Sequence, residues 1–399
     1  MSIQNLIFSL FLVFIFNINL KAENKNINDI YITIGSDAVD QSFKSMSGVE
    51  VISSNNKVSL VKLNKNDIPL LSHIMHEKFH RCGGFMAHNN KKEAFDFLNN
   101  QSDMNLAAKG IFTDYTISNP DEVRFLINQV TPLAIEQTIK KLSSYHNRYY
   151  KSETGVQSSN WIKSKWEDMS NGRADIKVES FSHRQWPQPS IIMTIEGESD
   201  ETIVIGGHAD SIAGYWGGSS ARAPGADDNA SGIATITEVI RVLMQSSYKP
   251  EKTIKFMAYA AEEVGLLGSK EIARDFRSKG INVIGVMQLD MTNFKGSSDK
   301  DIVMMTDYTN SEQNAFLGRL IDEYLQIPWG YDRCGYGCSD HASWHSVGYP
   351  ASIPFEAKKG DMNRAIHTNR DTISLSRGNA NHAAKFAKLG LAYLVELDK

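Results

Sequence analysis

The sequence predicts an α/β fold built on a buried sheet, with its chemistry at the carboxyl ends of the strands. Short apolar, β-branched runs, Ile203-Val-Ile205 above all, end in glycine or alanine and then in ligand-type residues, as covered strands feeding loops do. Amphipathic stretches of helix length follow, Ile233–Met244 after the first run and another opening at Val264-Gly-Leu266 after the second. Histidines and acids recur just past the runs, where open α/β sheets bind their ligands.

A chain of 399 residues, 41% hydrophobic, can bury one large domain and a smaller unit. Its net charge of −4 gives no footing for nucleic acid. Leu6–Phe16 is an apolar run too short for a bilayer span, followed by a small residue at Ala22. It predicts a signal peptide over residues 1–22 and a secreted protein, extracellular or periplasmic, with no membrane contact once the signal is cut. Met1–Asn5 lack Lys and Arg, so an uncleaved anchor is the competing reading. Cys334 and Cys338 can pair in an oxidising compartment, and Cys82 is the odd cysteine.

Residues 23–117 differ in composition, rich in Asn and Lys, with strands at Ile30–Ile34 and Val58–Leu63 and a helix over Ile68–Phe79. They predict a small α+β unit. Thr113–Pro120 reads as an exposed linker open to cleavage. Within the helix, His76-Glu-Lys-Phe-His80 fits H-E-x-x-H, but Met86 stands where the extended motif needs a third ligand. An ordinary polar helix face is the preferred reading.

From residue 118 the pattern is helix first. Ile135, Ile139 and Leu142 keep helical spacing within Pro132–Tyr145, and Trp161, Ile162 and Trp166 mark a second helix whose aromatics predict core. Ile176–Phe181 and Ser190–Ile195 read as strands leading to the one at Ile203. That strand delivers Gly206-Gly-His208-Ala-Asp210, the histidine and acid facing one way if strand geometry persists. Tyr215–Ser220 is a rim loop that either covers substrate or merely connects. Pro224-Gly-Ala-Asp227-Asp228-Asn-Ala-Ser-Gly232 puts two acids before a helix: one can cap it, the other can hold a cation. Thr253–Tyr259 runs into Glu262-Glu263, which on a strand end face opposite sides. Val283–Met291 is a buried strand carrying Asp290, Asp301–Thr306 another strand, and Ala315–Leu325 a helix. Ile366-His367-Thr368 and Asp371-Thr372 follow the strand-like Ala351–Phe355.

Charge arithmetic points to metal. Asp228, Glu262, Glu263 and Asp290 would repel one another in a cleft shared with His208 and His367 unless cations neutralise them. Each of two divalent ions can take one histidine, one terminal carboxylate and a share of a bridging one. The sixth group, one of the adjacent glutamates, is then left as a base for a metal-activated water. Spacing alone does not say which.

These motifs, with Ala258-Tyr-Ala-Ala-Glu262-Glu263-Val-Gly and Gln288-Leu-Asp290-Met-Thr-Asn, resemble over roughly residues 120–399 those of the M28 zinc aminopeptidases, secreted bacterial leucyl enzymes of the Vibrio type in particular. The resemblance implies a three-layer αβα zinc exopeptidase domain with a mixed central sheet, residues 118–399, preceded by a propeptide, residues 23–117, that covers the site until a processing protease removes it. It implies two Zn2+: Asp228 bridging, His208 and Asp290 on one ion, Glu263 and His367 on the other. Glu262 becomes the general base and Asp210 the acceptor that orients His208. It also implies a Cys334–Cys338 disulfide beside the pocket, presenting Tyr336. Asp340, His341 and His345 read as a capping acid and structural histidines. The expected enzyme is a monomer acting on peptides with a free N-terminus.

By the same resemblance the first side chain enters an apolar pocket to which Met291, Met304, Cys334, Cys338, Ile353, Phe355 and Ile366 contribute. Burial of an aliphatic side chain there gains ~2 kcal/mol, so Leu, Met and Phe are expected. Lys359 and Met362 stand where the Vibrio-type pattern has aromatics. The lysine either snorkels and widens the pocket or reaches in and changes specificity. Two other functions share the fold: a glutaminyl-cyclase-like acyltransferase with a single zinc, and a non-catalytic receptor ectodomain. All five ligand types are present, which favours the peptidase.

Overall fold

The computed structural model describes residues 28–399, apart from 80, 82, 89, 100–111, 113–114 and 215–216. The signal peptide expected over residues 1–22 lies outside them. No described helix is long and apolar enough to cross a membrane.

The N-terminal unit is the expected α+β structure: β1 (Asp29–Gly35), α1 (Ser36–Ser42), β2 (Glu50–Ser54), β3 (Val58–Asn64), α2 (Ile68–Phe79), β4 (Phe85–His88) and α3 (Lys91–Asn99). Its strands pair antiparallel in the order β2-β3-β1-β4. Strand alternation sends Tyr31, Val58 and Leu60 under Ala94 and Leu98 of α3. It sends Ile32, Ile34, Val61 and Leu63 the other way, against Leu71, Ile74 and Met75 of α2. This second cluster also takes in Tyr150, Trp186, Ala261 and Val264 of the following domain, so the two units share one apolar core beside Glu262. β4 closes against that domain where Ala87 N–H donates to the Gly265 carbonyl at 3.2 Å. Gly265 has φ +107, and a Cβ there would lie 2.8 Å from the Ala87 methyl; only glycine allows this approach.

The larger domain runs α4 (Pro120–Ile127), α5 (Pro132–Ser144), α6 (Glu153–Ser170), β5 (Ile176–Phe181), β6 (Ser190–Ile195), β7 (Glu201–His208), α7 (Ala230–Gln245), β8 (Thr253–Tyr259), α8 (Leu267–Ser278), β9 (Asn282–Gln288), β10 (Ile302–Met305), α9 (Ser311–Leu320), β11 (Trp329–Asp332), α10 (His341–Ser346), β12 (Ala351–Ser352), β13 (Pro354–Phe355) and α11 (Ala383–Asp398). Its central sheet is mixed, in the order β12-β9-β7-β8-β6-β5. The β12, β9, β7 and β8 pairings are parallel, and β6 and β5 are added antiparallel. Ile203 and Ile205 face the helices α5, α7 and α11, while Val204 faces α8 and α10. Residues alternate between two covered faces, giving the three layers.

The structure corrects four readings. The strand expected through Met291 stops at Gln288, so Asp290 lies on the loop beyond it. Ala351–Phe355 splits, β12 joining the central sheet and β13 a separate one ordered β11-β10-β13. Met304 packs into the main core, and its neighbours Val303 and Met305 face the apolar cluster of Met291, Ile353, Phe355, Met362 and Ile366, because alternation on β10 puts Met304 on the opposite side. The segment expected to be an exposed linker is anchored over its described residues: the Tyr115 ring packs 4.7 Å from that of Phe316, and the Glu396 carboxylate accepts from Ser118 N–H at 3.0 Å and Asn119 N–H at 3.1 Å.

Candidate active site

Three strand-to-loop junctions at the carboxyl edge of the central sheet supply the site, together with the turn before α7 and the loop after β13 that carries His367. β7 ends on His208, β8 is followed by Glu262 and Glu263, β9 by Asp290, and the turn before α7 carries Asp228. Neither Asp227 nor Asp228 caps α7. Asn229 does, accepting from Gly232 N–H at 2.8 Å, while also accepting from Met291 N–H and donating to the Leu289 carbonyl. One amide thus ties the Asp228 turn to the Asp290 loop. Glu262 and Glu263 lie past the strand, after Ala261 at φ 59, so strand alternation does not govern them. Met291 (φ 54) and His367 (φ 53) are also left-handed, a concentration of backbone strain that functional sites tolerate.

Asp228 is the hinge of the arrangement. Its Oδ1 lies 3.1 Å from His208 Nε2, and its Oδ2 lies 3.3 Å from His367 Nε2. His208 Nε2 has a second carboxylate, Asp290 Oδ1, at 3.3 Å; His367 Nε2 has Glu263 Oε2 at 2.8 Å. The result is two histidine–carboxylate pairs, one on each oxygen of a shared aspartate. His208, Asp228 and Glu263 form a group whose ligand atoms lie within 4.8 Å of one another. His208 Nε2, His367 Nε2, Asp290 Oδ1 and both oxygens of Glu262 and of Glu263 are buried without a hydrogen bond. Buried polar atoms converging head-on without donor geometry are what a metal-binding cluster presents, so the donor set fits.

Asp210 does more than the sequence suggested. Its Oδ1 is 3.5 Å from His208 Nδ1, but the carboxylate chiefly accepts the backbone N–H groups of Glu262 (3.0 Å) and Glu263 (3.2 Å). Asp371 does the same for the other side, accepting from Asp228 N–H at 3.0 Å and Asp227 N–H at 3.2 Å. Arg148, fully buried, donates to the carbonyls of Ala209, Pro224 and Gly225 at 2.6–2.9 Å. No local pattern in the sequence marked it.

Burial and the mutual repulsion of the acids shift the titration of the cluster in both directions. Burial pushes Glu262 well above the usual carboxyl range, and Glu263, Asp340 and Asp290 add repulsion against the pull of His208. Burial and repulsion from Asp228 carry Glu263 up to about 7. Burial opposes charge on His367, but Glu263 and Asp228 outweigh it and raise it to about 10. Asp228 is held well below its ordinary value: burial works the other way, but both imidazoles outweigh it.

Of the remaining candidates, Cys334 and Cys338 are bridged, with Cα atoms 6.2 Å apart. Tyr336 is buried rather than presented. Its ring takes Arg81 of the N-terminal unit at 4.9 Å and Lys359 at 5.4 Å. Asp340 makes no side-chain cap; it accepts from Gln288 at 2.9 Å, and burial raises it to about 7. His341 and His345 are held low by burial, at about 3 and about 4, as structural histidines are. His76 is not on a polar surface: α2 buries it with its ring 5.0 Å from that of His367. His80, its partner in the motif, lies outside the described residues.

A covered mixed sheet with such a cluster at its carboxyl edge defines an α/β protein with a candidate metal centre, and comparison with known proteins gives its chemistry. Residues 190–390 match Peptidase family M28. "Leucine aminopeptidase 1" of Coccidioides posadasii is 39% identical over 300 residues, covering 70% of this chain and 76% of its own. That of Uncinocarpus reesii is 37% identical over 315 residues, covering 73% and 78%. The crystal structure of the Legionella pneumophila LapA aminopeptidase superposes with a TM-score of 0.80 at 30% identity, covering 93% of this chain and 98% of that one. The chain belongs to peptidase family M28 and is a peptide hydrolase of the leucine aminopeptidase kind.

Proposed function

We propose that the chain is a secreted zymogen whose mature form is a two-zinc aminopeptidase, releasing apolar first residues from peptides with a free N-terminus. The observation that carries this is the division of Asp228 between His208 with Asp290 and His367 with Glu263. Those five residues would hold the two ions. Bound zinc supplies Lewis acidity, acidifying water and polarising the scissile carbonyl. Glu262, buried and outside both pairs, takes the water proton on its carboxylate and returns it to the departing amine. Asp210 fixes the backbone of both glutamates, so the base and its neighbour keep one geometry. Met291 and Ile366 adjoin Asp290 and His367 in the chain and belong to one apolar cluster with Val303, Met305, Ile353 and Phe355, which receives the first side chain.

The zymogen reading rests on α2. Ser72 Oγ reaches the Glu263 carbonyl at 3.5 Å, and His76 lies over His367, so substrate and α2 compete for one space. Because Phe112 packs with the catalytic core, the activating cut falls before it. The mature protein acts as a monomer. Leucyl-p-nitroanilide turnover and zinc content, measured with and without chelator on intact and cut protein, test this. Two zinc ions per chain and chelator-sensitive turnover that rises on cutting are expected; one ion per chain, or turnover that survives chelation, refutes it.

A further inference from the structure

Two adjacent lysines behave differently beside the apolar cluster of Met291 and Met362. Lys358 points outward and pairs with Asp299 at 2.8 Å. Lys359, its backbone N–H held by Asp332 at 2.7 Å, turns its ammonium inward. The Nζ lies 3.2 Å from Tyr336 Oη and 3.1 Å from Met362 Sδ. Met362 is one wall of the apolar cluster that also contains Met291, Ile353 and Ile366. A cationic group therefore borders an otherwise apolar cluster. In the uncut chain the Arg81 guanidinium covers the Tyr336 ring, and removal of the N-terminal unit uncovers this edge.

We propose that Lys359 is a specificity-determining residue that selects the first residue by charge. This rests on the aminopeptidase reading above and adds a substrate class to it. A side chain with an apolar stem and an acceptor tip, Glu or Gln, lays its methylenes on the Met and Ile walls and its oxygen on the ammonium. A first residue of Lys or Arg would set a second positive charge beside a half-buried one, where water screens poorly. Leu and Met are accepted because they carry no charge.

The test uses cut, zinc-loaded enzyme and the p-nitroanilides of Leu, Glu and Lys. In the parent, kcat/KM for Glu should exceed that for Lys at least tenfold. Lys359→Met should lower this ratio at least tenfold, and Lys359→Glu should invert it. Lys358→Met, which removes only the outward lysine, should leave the ratio within twofold. Leu turnover with a Glu-to-Lys ratio indifferent to both Lys359 substitutions overturns the proposal alone. Failure of the parent to cleave the Leu substrate overturns the aminopeptidase reading and this proposal together.

Discussion

The Lys270 ammonium on α8 lies 2.7 Å from the Glu93 carboxylate on α3, across the seam between the two units. Lys270 also donates to the Ala87 carbonyl and contacts His88 Nδ1 at 3.0 Å, and Arg274 pairs with the same carboxylate. Burial drops Lys270 to about 7, against the pull of Glu93. One acid of the N-terminal unit thus pairs with two basic side chains of the larger domain.

Glu93→Ala should loosen that hold. It leaves the buried Lys270 facing Arg274 without a counter-charge, a loss of about 2 kcal/mol and roughly thirtyfold in the opened fraction. Intact Glu93→Ala protein is expected to hydrolyse leucyl-p-nitroanilide at least fivefold faster than intact parent, with the cut forms equal. Equal rates in the intact forms would show that the ion pairs do not hold the site closed.

Glu262→Gln should retain zinc and lose turnover by about 10²–10⁴-fold, because an amide cannot take the proton. Zinc stoichiometry and kcat separate the outcomes. Loss of one zinc with the substitution would mean Glu262 is a ligand and Glu263 the base.

Zinc stabilisation should grow with pH. His367 is raised from 6.5 to about 10 and Glu263 from 4.5 to about 7. The metal-free fold therefore binds more protons than the unfolded chain, and stability from these groups, full below their unfolded values, is lost as pH rises through about 7 and then about 10. Zinc replaces those protons. The Tm difference between zinc-loaded and chelated protein is expected to be larger at pH 9 than at pH 6, and the reverse order would contradict the assignment.

Asp371→Ala should strip the acceptor from Asp227 and Asp228 N–H. Each buried donor left unpaired costs about 1–3 kcal/mol, and misplacing Asp228 should weaken zinc binding by about 10–100-fold. Competition against a chelator measures it; unchanged affinity would restrict Asp371 to folding.

The α/β class, the order of strands and helices, and the clustering of His208, Asp228, Glu262, Glu263, Asp290 and His367 could be read along the chain, because strand-end ligands follow apolar runs that local periodicity reveals. Membership of peptidase family M28 was also legible, since an ordered set of motifs is far more specific than its members. Met304 stands apart from the Met291 cluster for a local reason: alternation tells that Val303 and Met304 face opposite ways but not which of them joins that cluster. Asn229 as the tie between the Asp228 turn and the Asp290 loop, and Arg148 as clamp, left no trace, because the backbone groups they join lie 60 and more residues away. Asn229 as cap of α7 was local and readable, since its partner Gly232 is three residues on.

What the sequence determined by itself is which side chains are candidate donors, since chemistry fixes which groups can bind a hard or borderline cation and which can carry a proton. Only the tertiary structure decided their division into two pairs on one aspartate, the inward turn of Lys359 and the seat of α2 over His367. Those depend on packing and backbone hydrogen bonds between segments far apart in the chain, whose relative positions no local pattern encodes.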